Sequence, residues 1–375
     1  MNIPDNSRKQ NLLLMLASMF VTLLLLEVAA RIWLNKFMSE DDYRRYVLYT
    51  DVPTKDRQWS PHHYLNYYPT PDYKHGLTRH NSLGYRDREI DVTKDHNTLR
   101  IIAIGGSTTY TIKVEDNNQT FSAQLEKILR NKYDYENVEV INAGVGGYNS
   151  WESLTNLQYR VLDLEPNLII IYHGVNDVHT RLVPHAAYRS DNSGRRKQWD
   201  DPPIAFWEHS ALLRIISRKL HLTRQVTLGT FVDADTYHGS GNRRRYQVTA
   251  KSQMKMLKDN SPVFFERNLE NMISISRQHG AEALLVTFAH SPETDDGEHN
   301  NVYEQGYKEN NSVVREVAKE LSSPMFDLAR DMPQDRKYWA DSVHVNEAGA
   351  LLKAELIARF IHHNNLINPD STDSN

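Results

Sequence analysis

The stretch Arg100–Tyr110, RIIAIGGSTTY, decides how the rest of the chain is read. Four apolar residues, Ile101 to Ile104, run straight into two glycines, a serine and two threonines. A buried strand therefore ends in a sharp turn that carries a hydroxyl. Three further runs share this texture: VEVINAG (138–144), NLIIIYHG (167–174) and AEALLVTF (281–288). Each is short, apolar and closed by glycine or a polar turn. Between them, TFSAQLEKILRNKY and SWESLTNLQYRVLDL carry apolar residues at three and four spacing, and NEAGALLKAELIARFIHH follows DSVHV. Strand alternating with helix predicts an α/β fold, a parallel sheet with helices on both faces.

The chain has 375 residues, a net charge of −4 and no cysteine. That length can bury a full core. The charge is too small to indicate a nucleic-acid binder, and the absence of cysteine excludes disulfides and thiolate chemistry. At the N-terminus, after Arg8 and Lys9, comes NLLLMLASMFVTLLLLEVAARIWL, uncharged from Leu12 to Leu26. Residues 1–35 are expected to form a membrane anchor, with Trp33 suited to the interface; a cleaved signal segment, ending near Val28-Ala29-Ala30, is the alternative. The main domain is expected outside the cytoplasm, in the periplasm.

Residues 36–98, rich in Tyr, Pro, Asp and His, read as an irregular connector that packs on the main domain, 99–365. Within that domain, about 179–260 breaks the alternation and reads as an insertion; the tail, 366–375, reads as disordered. The insertion is locally basic, with thirteen Lys/Arg against six Asp/Glu from Arg181 to Lys251, including GRRK and GNRRRY. Inside it, IAFWEHSALLRIISRKLHL predicts an amphipathic helix with Phe206, Leu213, Ile216 and Leu220 on one side and Arg214, Arg218 and Lys219 largely elsewhere. The stripe either packs this element on the core or belongs to a lid that draws an anionic lipid or polysaccharide to the site.

In open α/β sheets ligands bind beyond the carboxyl ends of the strands. There this sequence places Gly105-Gly106-Ser107, then Gly144-Val145-Gly146-Gly147, then His173-Gly174-Val175-Asn176-Asp177, and, before the last helix, Asp341-Ser342-Val343-His344. These are the parts of a serine hydrolase: a nucleophile on a tight turn, donors for an oxyanion, and an imidazole with a carboxylate three residues away. Each block has a plainer reading. GGSTTY could be a structural turn, although it lacks the spacing and the lysine of a phosphate-binding loop. GVND could be an ordinary turn, and Asn346 could cap the last helix whatever Asp341 and His344 do. His173 and His290 either line the pocket or simply pack. The seventeen histidines include no H-E-x-x-H zinc pattern, and His362-His363 falls at a polar helix end.

Taken in order, the four blocks resemble the SGNH (GDSL-like) hydrolase superfamily: Ser107, Gly147, Asn176 and His344 match the four residues of that name, and Asp341 matches the third member of its triad. The likeness covers roughly Arg100 to His363. NSLGYRDREI, from Asn81, and LLLLEVAARIWL are similar to segments of its membrane-anchored bacterial members. Gly106 stands where the family usually has Asp. The resemblance implies a three-layer α/β/α sandwich with a parallel, flavodoxin-like sheet. It implies catalysis by Ser107, Asp341 and His344, an oxyanion hole of Ser107, Gly147 and Asn176, and no metal or organic cofactor. The expected activity is hydrolysis of an acyl ester, acetyl among the possible groups, on a cell-envelope carbohydrate or lipid. O-acyl transfer to an envelope polysaccharide and a non-catalytic binding module are the alternatives.

Overall fold

The computed structural model of the chain describes residues 5–39, 46–48, 51, 53–195, 204–222, 249–292 and 297–367. The apolar N-terminal run is one helix, α1 (Asp5–Lys36). Its Ser7–Lys36 portion is long and apolar enough to cross a membrane, and the leucines from Leu12 to Leu26 stand exposed.

Strands β1 (Leu99–Gly105), β2 (Val138–Gly144), β3 (Leu168–Tyr172), β4 (Glu282–Val286) and β5 (Met325–Phe326) form one sheet in the order 2-1-3-4-5, every pair parallel. β1 and β3 are buried along their whole length. This is why their sequences are continuous apolar runs rather than alternations. Fully burying an Ile such as Ile101 or Ile102 is worth about 1.5–3 kcal/mol.

The helices follow in chain order: α2 (Ser107–Tyr110), α3 (Phe121–Tyr133), α4 (Ser150–Asn156), α5 (Val175–Arg181), α6 (Ala211–Lys219), α7 (Ala250–Asp259), α8 (Val263–Gln278), α9 (Gly297–Glu320) and α10 (Glu347–His363). Phe121, Leu125 and Leu129 of α3 and Ala350, Ala354 and Ile357 of α10 share one core cluster with Ile101, Ala103 and Ile170 on one sheet face. α4 and α8 pack on the other. The result is a three-layer α/β/α sandwich with flavodoxin-like strand order, whose switch point lies between the carboxyl ends of β1 and β3. Local signals set the helix ends: Thr120 caps α3 through the Ala123 N–H, and Asp134 stops it at φ 59°. β5, only two residues long, carries no periodic signal.

Packing divides the chain into two compact units, Met1–Arg57 with Asp200–Asp233, and Gln58–Trp199 with Ala234–Asn375. The second holds the sheet and two short hairpins, Trp59–His62 with Asn66–Pro69 and Lys74–His75 with Thr78–Arg79. It also holds both ends of the inserted region, tied together by Arg181 and Asn260. Arg181 Nε donates to the Asn260 carbonyl at 2.6 Å, and Asn260 Nδ2 donates to the carbonyls of Arg181 and Val183 at 2.7 and 2.8 Å.

In the first unit, α6 packs against the end of α1 through Ala211 and Ile215 on Ala30 and Leu34. The expected apolar stripe does not pack inward. Leu213, Ile216 and Leu220 are exposed, whereas Arg214 and Arg218 are buried on Glu208 and the Val47 carbonyl. Periodicity showed two faces, but not which would turn outward. The Arg243–Arg245 cluster lies outside the described residues.

Candidate active site

At the end of β1, Gly105 has φ 158°, and a Cβ there would stand 2.2 Å from the Tyr172 carbonyl and from Thr109 Oγ1. Only glycine fits. Gly106 then caps α2, its carbonyl accepting from the N–H groups of Thr109 and Tyr110 at 3.1 and 3.0 Å. Ser107 is the first helical residue, half-buried, while its neighbours Thr108 and Thr109 are buried.

Ser107 Oγ lies 2.7 Å from His344 Nε2, although 237 residues separate them. On the far side of the ring, His344 Nδ1 lies 2.9 and 2.8 Å from the two Asp341 oxygens. Because the carboxylate accepts there, Nδ1 carries the proton and Nε2 is left to accept from the serine. Asp341 Oδ1 also accepts from the N–H groups of Val343 and His344, at 3.0 and 2.8 Å. Burial by itself would raise the Asp341 carboxyl; the hydrogen bond and charge of His344, with those two amides, outweigh it and bring it down to about 2. Asn346 does cap α10, through the Gly349 N–H at 3.0 Å. Capping and the Asp341–His344 pair therefore coexist between Asp341 and Asn346.

Asn176 lies in the first turn of α5, and its Nδ2 donates to the Tyr148 carbonyl at 2.9 Å. A Cβ on Gly106 would stand 2.7 Å from this Nδ2 and 3.0 Å from that carbonyl. A side chain at Gly106 would therefore press on the Asn176 amide. Gly147 has φ 81° and lies in the turn between β2 and α4, two residues before Asn149, whose side chain and Glu152 close a capping box on α4. Asp177 binds the same region from α5, accepting from the Ser150 N–H at 2.9 Å. His173 is buried, its Nδ1 3.4 Å from Asp177 Oδ2, and His290 packs on the Tyr307 ring at 4.8 Å.

Further residues support these turns, some of them, such as Lys353, without a legible sequence signal. Lys353 of α10 is buried beneath the Ser107 turn, its Nζ donating to the Thr108 carbonyl at 3.1 Å and lying 4.0 and 3.9 Å from the ring centres of Phe121 and Tyr172. Burial pushes its ammonium well below the usual lysine range. Lys113 Nζ lies 3.7 Å from Asp341 Oδ2. The hairpin before β1 braces the second block: Tyr67 donates to the Gly146 carbonyl at 2.7 Å, and Tyr148 donates to the Tyr67 carbonyl. In NSLGYRDREI, Arg86 is buried and donates to the carbonyls of Thr111 and Val114 at 2.9 and 2.6 Å, fixing the chain just after α2. Asp87 accepts from the Asn142 N–H of β2 at 3.0 Å. Among the described residues, no three His, Asp or Glu side chains converge as a metal site.

A serine, an imidazole and a carboxylate in line at the switch point of a parallel sheet define the class of serine hydrolases. Residues 103–352 match the GDSL-like lipase/acylhydrolase family, and the chain belongs to it. It is an SGNH/GDSL-type hydrolase, of a family acting on esters. No curated protein matches the sequence. Among solved structures, a lipase/acylhydrolase from Enterococcus faecalis is 20% identical, with a TM-score of 0.41 over 71% of this chain and 97% of that one. An acetyl xylan esterase, AlAXEase, is 17% identical, with a TM-score of 0.40 over 69% and 98%. A catalytic mutant of an acetylxylan esterase from Geobacillus stearothermophilus is 15% identical, with a TM-score of 0.40 over 70% and 94%.

Proposed function

We propose that this protein is a membrane-anchored serine esterase or deacylase, acting on an acyl ester of a cell-envelope carbohydrate or lipid. The observation that carries the reading is the 2.7 Å approach of Ser107 Oγ to His344 Nε2 with both Asp341 oxygens behind the ring. In the first step Nε2 takes the hydroxyl proton as Oγ bonds to the ester carbonyl carbon. Asp341 holds the ring in its tautomer and stabilises the imidazolium. The N–H groups of Ser107 and Gly147 and the Asn176 amide receive the oxyanion. The ester C–O bond then breaks, the imidazolium returns its proton to the leaving alcohol, and a water repeats the sequence to release the acid and regenerate Ser107.

The anchor reading has support of its own. Glu27, Ala30, Arg31 and Leu34 of α1 are built into the packing of α6, so a cut near Ala30 would remove part of a folded unit. The catalytic domain is assigned to the periplasmic side, where envelope esters are found. The test is turnover of p-nitrophenyl acetate and longer acyl esters by the full chain in detergent. Wild type is expected to outpace Ser107→Ala by about 10³-fold or more, since nucleophile loss removes the covalent route. Equal rates across all acyl lengths would refute the esterase.

A further inference from the structure

We propose that α6 is a membrane-surface helix, held against the end of α1 so that Leu213, Ile216 and Leu220 rest in the headgroup and acyl boundary of the bilayer. The proposal rests on the reading of α1 as an anchor and extends it to a segment 184 residues away in sequence. Its first support is an inversion. Leu213, Ile216 and Leu220, at helical spacing, are 46%, 43% and 63% exposed, while Arg214 and Arg218 are 6% and 3% exposed. A helix facing water turns its arginines out and its leucines in. Here the arginines are satisfied internally: Arg218 donates to Glu208 Oε1 at 3.2 Å and to the Val47 carbonyl at 3.1 Å, and Arg214 donates to the Glu208 carbonyl at 2.7 Å. The exposed residues of α6 and its C-cap are then Leu213, Ile216 and Leu220, with Lys219 as the one charge among them.

The second support is continuity with α1. Glu27, directly after the uncharged run, accepts from Ser210 Oγ and from the Ala211 and Leu212 N–H groups at 2.7, 2.9 and 3.0 Å. Its carboxylate thus caps α6 at the level where α1 leaves the apolar run, and a charge near the hydrocarbon edge is satisfied by the protein itself. At the other end of α6, Lys219 Nζ lies 5.6 Å from the centre of the Trp33 ring, a cation and an indole of the kind that gather at headgroup depth. Exposed apolar residues at the end of α1, Ile32 and Trp33 among them, thus adjoin α6, with the exposed charges Arg31 and Lys219 at the junction, as suits headgroup depth. A surface of that extent on one membrane-length helix and its partner fits lipid.

The native chain has no cysteine, so single cysteines can be placed without competition. The full chain is reconstituted in phosphatidylethanolamine/phosphatidylglycerol vesicles carrying bimane at residue 213, 216 or 220. Reference labels go at Phe20, exposed on α1, and at Lys319, exposed on α9. Quenching by brominated lipid is compared with quenching by aqueous iodide. Labels at 213, 216 and 220 are expected to resemble Phe20, several-fold more quenched by lipid and less by iodide than Lys319. If Phe20 is lipid-quenched while the α6 labels behave like Lys319, the anchor stands and the surface helix falls. Labels shielded from both quenchers would mean that protein, a second copy included, covers the face, and that also overturns the proposal. No lipid quenching at Phe20 removes the anchor and this proposal with it.

Discussion

The Lys353 side chain donates to the Thr108 carbonyl at 3.1 Å, one residue past Ser107, from a buried site. It reaches the Ser107 turn from a helix 245 residues further along the chain. Lys353→Met keeps the aliphatic packing on Phe121 and Tyr172 but leaves that carbonyl without its donor. We expect a loss of about 1–3 kcal/mol in stability, and a fall in kcat with KM little changed. Thermal unfolding and ester kinetics check both; an unchanged kcat in a destabilised protein would confine Lys353 to a structural role.

Asp341→Asn should leave the turn folded and cost about 10³–10⁴ in kcat, because an amide cannot hold the imidazole in the tautomer that frees Nε2. The carboxyl is brought from 3.8 down to about 2 in the folded chain, so it stays ionised through the neutral range. A depressed carboxyl contributes stability that is present above the unfolded value and is lost as pH falls through the folded one. The stability gap between wild type and Asp341→Asn should therefore narrow from about pH 4 downward and close near pH 2. Denaturant titrations across that range test it.

Gly106→Asp restores the residue the family usually carries, yet it is expected to lower activity. The new Cβ meets the Asn176 amide at 2.7 Å and the Tyr148 carbonyl at 3.0 Å, so Asn176 must give way. Displacing one oxyanion donor costs about 10²–10³ in kcat. A variant as active as wild type would show that Asn176 is not needed at that position.

Glu27→Ala removes the carboxylate that receives two α6 N–H groups, while Ser210 still accepts from the Leu213 N–H at 3.2 Å. Loss of such a cap is worth about 1 kcal/mol, and amide exchange over residues 211–219 should quicken by roughly fivefold. Exchange followed by mass spectrometry checks this, with β1 unaffected as the internal reference.

The sequence alone determined the α/β alternation, the four polar blocks at the strand ends and the membrane-length run at the N-terminus. These are local properties: period, composition and spacing read directly from neighbouring residues, because a doubly covered strand must be apolar throughout and a spanning helix must be apolar all round. Tertiary structure decided the pairings between distant residues. It brought His344 to Ser107, set Lys353 beneath Thr108, filled the space beside Gly106 with Asn176, and gave Glu27 to the N-terminus of α6. It also chose which face of α6 turns outward, since a 3.6-residue period separates leucines from arginines but carries no information about what each will meet. A buried Lys353 and inward Arg214 and Arg218 run against composition-based expectation. Their partners, a backbone carbonyl, two aromatic rings and Glu208, come together only when the chain has folded.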